Sequence, residues 1–164
     1  MKEQTFDVST PANFKQVIEY ILKLAGSLFA EGGVGAVGEA NSEPASAALI
    51  TLTGDLGAGK TTFTQELAKH LGITEPVVSP TFVVMKSYKL DDNPYFDQLV
   101  HIDAYRFEDV SEAEPLHLKE LFKQPRTLIC LEWPERIAEI LPKEKIDVQI
   151  SIKEGEEREV TVKS

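Results

Sequence analysis

The stretch Gly54-Asp55-Leu56-Gly57-Ala58-Gly59-Lys60-Thr61 follows the pattern G-x-x-x-x-G-K-T. The apolar run 48–53 before it has strand character, and apolar side chains recur at helical spacing after it, at Phe63, Leu67 and Leu71. A strand, a glycine-rich turn and a helix N-terminus form a phosphate cradle, because backbone N–H groups point inward and the helix dipole adds positive charge. We therefore predict that the chain binds a nucleoside triphosphate. In this context a structural turn that matches by chance is the weaker interpretation.

Two side chains of this motif have specific expected roles. Lys60 reaches the β- and γ-phosphates in such a cradle, and Thr61 presents its hydroxyl to Mg²⁺. We expect the rest of the stretch, together with Thr62, to contact the nucleotide.

Length and charge limit the class of protein. A chain of 164 residues has the size of one domain, and we expect a single domain over residues 1–164. The net charge of -10 disfavours direct binding to a phosphate backbone. The charged N-terminus lacks a signal-peptide core, and no apolar segment reaches the roughly 18 residues that span a bilayer. We expect a soluble, cytoplasmic protein without membrane contact, in which the single cysteine, Cys130, is a buried apolar residue.

The hydrophobic pattern predicts an α/β fold with antiparallel strands at the edges of the sheet. The predicted elements are a short strand ending at 6–8, a helix at 11–30, a strand at 48–53, a helix at 60–71, a hairpin around the turn 91–94, a short irregular helix at 111–122, a strand at 127–131, a short helix at 134–141 and a hairpin over 146–162. The run 127–131 is continuously apolar, which is typical of a central parallel strand covered on both faces.

Residues 31–47 differ in composition from the rest of the chain. Within them, Gly33-Val34-Gly35-Ala36-Val37-Gly38 matches the dinucleotide-binding fingerprint G-x-G-x-x-G. That fingerprint requires a preceding strand and a following helix. Here it follows a helix and leads into a loop rich in Ser, Pro and Glu, so we interpret residues 31–47 as a flexible insertion.

A triphosphate site also needs an acidic residue for Mg²⁺, usually at the end of a strand beside the phosphate-binding turn, which is called the P-loop. Glu132 follows the apolar run 128–131, and Asp103 follows the run 99–102, so both are candidates. Either carboxylate alone can instead cap the next helix. Two together indicate a shared task, in which one holds the metal and the other orients water.

Three further positions have open interpretations. The stretch Ser79-Pro80-Thr81 is either a switch in which Thr81 senses the γ-phosphate or a simple turn of the chain. His101 is more typical of a hydrogen-bonded core histidine than of a catalyst. Trp133 either belongs to the core or covers the nucleotide.

The sequence favours ATP over GTP as the nucleotide. No Asn-Lys-x-Asp guanine-reading motif occurs, and the four arginines form no arginine-rich lid of the kind that small-molecule kinases use. Weak candidates for the adenine pocket are Ser9 to Asn13 and Arg158.

Four motifs occur together in this order: the P-loop at 54–62, Ser-Pro-Thr-Phe at 79–82, His-Ile-Asp-Ala-Tyr-Arg at 101–106 and Leu-Glu-Trp-Pro-Glu at 131–135. This set resembles the TsaE (YjeE) family of bacterial tRNA threonylcarbamoyladenosine biosynthesis ATPases, over about residues 1–30 and 48–163. The long, glycine-rich segment 31–47 departs from the family pattern.

The resemblance implies a P-loop NTPase-type three-layer sandwich with a central mixed sheet. It implies a weak, Mg²⁺-dependent ATPase that works with the TsaD and TsaB proteins, which modify adenosine 37 of tRNAs reading ANN codons. By motif, Lys60 and Thr61 bind phosphate and metal, Glu132 is a Mg²⁺ ligand and Asp103 is catalytic. Thr81 takes the switch position, and Trp133 lies near the nucleotide.

Two other functions remain open from the sequence: a small-molecule or nucleoside kinase, and a nucleotide-dependent binding module without meaningful turnover. On the leading interpretation, ATP hydrolysis resets the TsaD–TsaB complex. Contact with tRNA then occurs only indirectly, through the partners, which agrees with the acidic composition.

Overall fold

A seven-stranded mixed sheet forms the centre of the fold in the computed structural model. The structure describes residues 2–30, 46–80, 82–155 and 157–164, without side chains for 27–30. The strands are β1 (Glu3–Val8), β2 (Ala48–Thr53), β3 (Met85–Lys89), β4 (Gln98–Asp103), β5 (Thr127–Glu132), β6 (Ile146–Ile152) and β7 (Arg158–Lys163). Their order is β1-β7-β6-β2-β5-β4-β3. The four middle strands β6, β2, β5 and β4 are parallel, and the others pair antiparallel, as predicted.

Helices cover both faces of this sheet and make three layers. The helices are α1 (Phe14–Ala30), α2 (Lys60–His70) and α3 (Leu118–Leu121), with 3-10 helices at Pro11–Asn13, Val110–Leu116 and Pro134–Ile140. Apolar residues of α1 and α2 pack with Ile50 and Leu128 on one face. Residues of α3 and of the two later 3-10 helices pack with Leu49 and Ile129 on the other. The predicted three-layer α/β architecture is confirmed.

The segment 31–45 lies outside the described residues, so the interpretation of 31–47 as a flexible insertion stays a prediction. Ala47, at its end, is buried, and its N–H donates to the carbonyl of Phe122 at 3.0 Å. Ala47 is therefore part of the packed fold. No helix in the described part of the chain is long and apolar enough to cross a membrane.

The parallel strands bring the predicted site residues to one edge of the sheet. The P-loop follows β2, while Asp103 and Glu132 are the last residues of β4 and β5. These two carboxylates lie opposite each other in register. Because neighbouring parallel strands end at the same edge, side chains far apart in sequence meet there.

Gly54 allows the P-loop to leave β2 close to β6. Its φ is +146°, and a Cβ at this position would lie 2.3 Å from the carbonyl oxygen of Ile150. A backbone oxygen cannot move as easily as the end of a side chain, so only glycine fits here.

We predict that Gly54→Ala lowers the free energy of unfolding by about 1–3 kcal/mol, because the added Cβ meets the β6 backbone. Gly155→Ala is the matched control, since Gly155 also has positive φ (+80°) but open space around its Cβ position. Urea unfolding of both variants measures the difference. Equal destabilisation would show that the contact with Ile150 does not constrain the loop.

Candidate functional site

The P-loop turns tightly onto the N-terminus of α2. Gly57 and Gly59 have φ of +81° and +111°, values that suit glycine, and Gly59 caps the helix. The buried ammonium of Lys60 lies within this turn and donates to the carbonyls of Gly54 at 2.6 Å and Asp55 at 3.0 Å. The cation is therefore already held inside the loop.

A hydrogen-bonded chain connects α2 to β5 and β4. The Thr61 hydroxyl donates to the two carboxylate oxygens of Glu132, at 3.0 Å and 3.3 Å. Nε2 of His101 lies 2.7 Å from Oε1 of the same carboxylate. Glu132 and His101 are both buried. The two predicted metal ligands are thus adjacent, and a third residue supports them.

Asp103 lies at the end of the neighbouring strand. Its Oδ1 accepts from the N–H of Tyr105 at 3.0 Å, and its Oδ2 accepts from the Ser79 hydroxyl at 3.4 Å. This carboxylate is buried, yet it lines the same cleft as Glu132. Ser79 therefore contacts the predicted catalytic residue Asp103 directly.

Trp133 directly follows Glu132 and has the left-handed conformation, with φ of 59°. This backbone turn is unusual for a bulky residue. The indole lies 4.1 Å from the Lys60 ammonium and packs against the Tyr105 ring, with centroids 5.1 Å apart. It also contacts the apolar cluster on the α3 side of the sheet. Trp133 is therefore part core and part wall of the cleft.

The charges around Lys60 act in opposite directions on its pKa. Burial lowers the pKa below its usual value, while four carboxylates oppose that shift: Glu132, Glu135, Asp103 and Asp55. The cation therefore gains from any additional negative charge that enters the cleft. Beneath it, burial raises the pKa of Cys130 to about 12, so this thiol is an unreactive core residue, as predicted.

Most predicted nucleotide-contacting residues line one open cleft of about 280 Å³. Its walls are Leu56, Gly57, Gly59, Lys60, Thr61, Thr62, Ser79, Asp103, Tyr105, Glu132 and Trp133. Gly54 and Asp55 contribute their carbonyls to Lys60 instead. Ala58 lies fully buried beneath the loop. None of the four arginines, all described by the structure, lines this cleft.

A second cleft adjoins the P-loop on the α1 side. It is lined by Val8 to Pro11, Phe14, Gly57 to Gly59, Thr62 and Arg158. The Arg158 guanidinium donates from Nε to the carbonyl of Ala58 at 3.0 Å. Most of the weak adenine-pocket candidates therefore lie beside the phosphate cradle. Their role in binding adenine stays a prediction.

The sequence did not predict one residue of the site, Tyr105, or one of its contacts, the hydrogen bond between His101 and Glu132. Tyr105 lines the cleft and supports both Asp103 and Trp133, and its only sequence signal was its place in the 101–106 motif. The His101–Glu132 bond was also missed, although His101 is the buried, hydrogen-bonded histidine that was expected. Thr81 lies outside the described residues, so the switch hypothesis stays a prediction.

The chemistry of the donor set fits Mg²⁺ together with a polyphosphate. Thr61 and Glu132 offer the oxygen ligands that this cation prefers. In the described part of the chain, no group of three or more His, Cys, Asp or Glu side chains is arranged to hold a metal alone. A cation at Thr61 and Glu132 therefore needs further oxygens from phosphate and water, which is how Mg²⁺ binds with nucleotides.

The chain is similar to known proteins in both sequence and structure. The model of the family "Threonylcarbamoyl adenosine biosynthesis protein TsaE" matches residues 22–160. The Bacillus subtilis tRNA threonylcarbamoyladenosine biosynthesis protein TsaE is 46% identical over 114 residues, covering 69% of this chain and 67% of that protein. The protein of the same name from Streptomyces coelicolor is 39% identical over 120 residues, covering 70% and 78%. The Synechocystis protein is 39% identical over 95 residues, which span only 57% of its length.

The fold agrees with a solved structure. The crystal structure of Bacillus subtilis YdiB superimposes with a TM-score of 0.64 and 30% identity, covering 98% of this chain and 84% of that one. The family model covers most of the chain, and it includes the P-loop, Asp103 and Glu132. By this match, and by its identity to the Bacillus subtilis relative, the chain belongs to the TsaE family.

Proposed function

We propose that this chain is a Mg²⁺-dependent ATPase required to form the threonylcarbamoyl group on adenosine 37 of tRNAs that read ANN codons. In this proposal, ATP hydrolysis resets a complex of the TsaD and TsaB proteins, and tRNA contacts those partners rather than this chain. The names of the curated relatives support the pathway, since they are tRNA threonylcarbamoyladenosine biosynthesis proteins. The net charge of -10 supports the indirect role toward tRNA.

The hydrogen bond between Thr61 and Glu132 is the single observation that carries the ATPase assignment. It places a hydroxyl and a carboxylate 3.0 Å apart directly beside the P-loop lysine. A Mg²⁺ ion bound there supplies electrostatic stabilisation of the phosphate charge. A structural glycine turn needs neither group, whereas Mg²⁺ bound together with a phosphate takes oxygen ligands of this kind.

The residues of the cleft divide the work of hydrolysis. Lys60 exchanges its two loop carbonyls for phosphate oxygens, and the inward N–H groups of the P-loop hold the same phosphates. Asp103, fixed by Tyr105 and Ser79, orients a water molecule and accepts its proton. The water oxygen bonds to the γ-phosphorus as the bond to the bridging oxygen breaks, and ADP and phosphate leave.

A rim of exposed apolar side chains, on and next to the cleft, suits a contact with the partner proteins. Phe82 is 88% exposed, Leu56 is 78% exposed, and Val83 and Tyr105 are also exposed. The Phe82 ring lies 4.8 Å from the guanidinium of Arg106. Arg106 directly follows Tyr105 in the sequence. Exposed apolar groups gathered around a site indicate a protein contact. We propose that the TsaD–TsaB complex covers this rim, where it can sense the nucleotide.

Reconstitution tests the proposed function. This chain, the TsaD and TsaB proteins, their small-molecule substrates, tRNA and Mg·ATP are combined, and threonylcarbamoyladenosine is measured over several turnovers. We expect repeated turnover with the wild-type chain and about one turnover per complex with Asp103→Ala. Equal product with and without this chain would refute the role. Phosphate release without any acceptor separates the ATPase from a kinase.

We predict that Lys60→Ala weakens ATP binding by about 10- to 100-fold, because a charge-assisted contact with phosphate is lost. Lys69→Ala is the control, since Lys69 belongs to the same helix but pairs with Glu66 on the surface. Isothermal titration calorimetry measures both affinities. Unchanged binding by Lys60→Ala would show that the phosphates lie elsewhere.

We predict that Glu132→Ala and Asp103→Ala fail in different ways. Glu132→Ala raises the Mg²⁺ concentration needed for hydrolysis, whereas Asp103→Ala lowers kcat by about 100-fold or more with ATP still bound. Phosphate release at varied Mg²⁺ separates the two effects. The control is Glu139→Ala, which removes an exposed carboxylate of the 3-10 helix after β5 that is not among the four acting on Lys60. Wild-type kinetics in either variant would remove that residue from the mechanism.

We predict that partner binding depends on both the nucleotide and the rim. Only different affinities in the ATP and ADP states allow hydrolysis to act on a complex. Affinity for TsaD–TsaB is measured with ADP and with a non-hydrolysable ATP analogue, on wild type, Thr81→Ala, Phe82→Ala and Tyr95→Ala. Phe82→Ala weakens binding, while Tyr95→Ala, an exposed aromatic just before β4 at the opposite edge of the sheet, does not. Identical affinities in both nucleotide states would contradict the reset.

A further inference from the structure

His101 is a fully buried histidine whose contacts are directed at one partner. Its side chain is 0% exposed, and Nε2 lies 2.7 Å from Oε1 of Glu132. A carboxylate oxygen accepts hydrogen bonds, so the hydrogen of this bond belongs to Nε2. His101 therefore donates to Glu132 through Nε2.

The other ring nitrogen of His101 serves no partner. Nδ1 is buried, and it has no hydrogen-bond partner in the part of the chain that the structure describes. Buried polar atoms are nearly always paired, so an unpaired one needs a reason. Here the bond to Glu132 is the only side-chain hydrogen bond that His101 makes to a described residue.

Glu132 is held from two directions. Oε1 receives the Thr61 hydroxyl from α2 and the His101 imidazole from β4. His101 lies opposite Cys130 in the pairing of β4 with β5. Glu132 comes two residues after Cys130, so its side chain and the His101 ring lie on the same face of the sheet. A carboxylate with a single donor can rotate, whereas two donors on different elements fix its orientation.

We propose that His101 is a positioning residue that orients the Glu132 carboxylate to receive Mg²⁺ beside the P-loop. This inference rests on the proposed Mg²⁺-dependent function of the site. A positioning role differs from a structural one in its consequence. Loss of His101 then reduces the affinity for Mg²⁺ rather than the affinity for nucleotide or the stability of the fold. Groups that orient metal ligands in this way typically contribute about 10- to 100-fold to metal affinity.

A pair of amide substitutions tests the proposal. In His101→Gln the amide nitrogen reaches the position of Nε2, whereas in His101→Asn it reaches only that of Nδ1. Affinity for a non-hydrolysable ATP analogue is measured by calorimetry over a range of free Mg²⁺ and in EDTA. We expect His101→Asn to need about tenfold more Mg²⁺ than wild type. His101→Gln should restore most of the loss, and in EDTA all three proteins should bind the analogue equally.

Val100→Ala controls for damage to β4, because Val100 is a buried residue of the same strand on the opposite face. It should leave the Mg²⁺ dependence unchanged. An equal Mg²⁺ dependence in wild type, Asn and Gln variants would overturn the proposal. So would unfolding of both amide variants, judged by melting without Mg²⁺, since His101 would then be structural.

A double substitution separates failure of this inference from failure of the proposed function. If Glu132→Ala itself leaves the Mg²⁺ dependence unchanged, the metal site is wrong. If Glu132→Ala changes it, His101→Asn should add nothing in the Glu132→Ala background, because His101 acts through that carboxylate. An additive loss in the double variant would mean that His101 affects the metal by another route, and the proposal would fall.

Discussion

The hydrogen bond from Thr61 to Glu132 is the contact around which the site is arranged. It joins the first turn of α2 to the end of β5, through two residues that lie 71 positions apart in the chain. The bond forms only if β2 and β5 are neighbours, if the P-loop turns sharply, and if the carboxylate is held still. The pairing of β2 with β5 meets the first condition, and the positive φ values of the P-loop glycines meet the second. The hydrogen bond from His101 to Glu132 meets the third. The order of the strands is therefore what brings the chemistry together.

The same edge of the sheet carries charges of both signs in little space. Lys60 is buried among carboxylates, and its ammonium lies between two loop carbonyls and the Trp133 ring. Burial alone disfavours a cation, and the nearby carboxylates offset that effect. Phosphate would bring the negative charge that the glycine turn and lysine are built to receive, while Mg²⁺ would compensate the carboxylates. On the proposed function, a phosphate and a Mg²⁺ ion would together balance the charges of this cleft.

Much of this arrangement was predictable from the sequence, because its signals are local. The P-loop flanks, the apolar run at β5 and the alternation through β6 and β7 each predict an element from adjacent residues. The His101–Glu132 bond was not predictable, since it depends on β4 lying beside β5 in one register. The left-handed turn at Trp133, which aims the indole at Lys60, also has no local signal such as glycine. Strand order and backbone strain come from tertiary packing, which spacing along the chain does not encode.

An isotope experiment shows whether water in this cleft attacks the γ-phosphate of ATP. The chain is incubated with Mg·ATP and its partner proteins in ¹⁸O-enriched water, and the released phosphate is analysed by mass spectrometry. Direct attack of water on the γ-phosphorus places one ¹⁸O atom in each released phosphate. We expect this label with the wild-type chain, and about 100-fold less labelled phosphate in the same time with Asp103→Ala. Unlabelled phosphate, or a γ-phosphoryl group recovered on an acceptor molecule, would show that water in this cleft does not attack ATP.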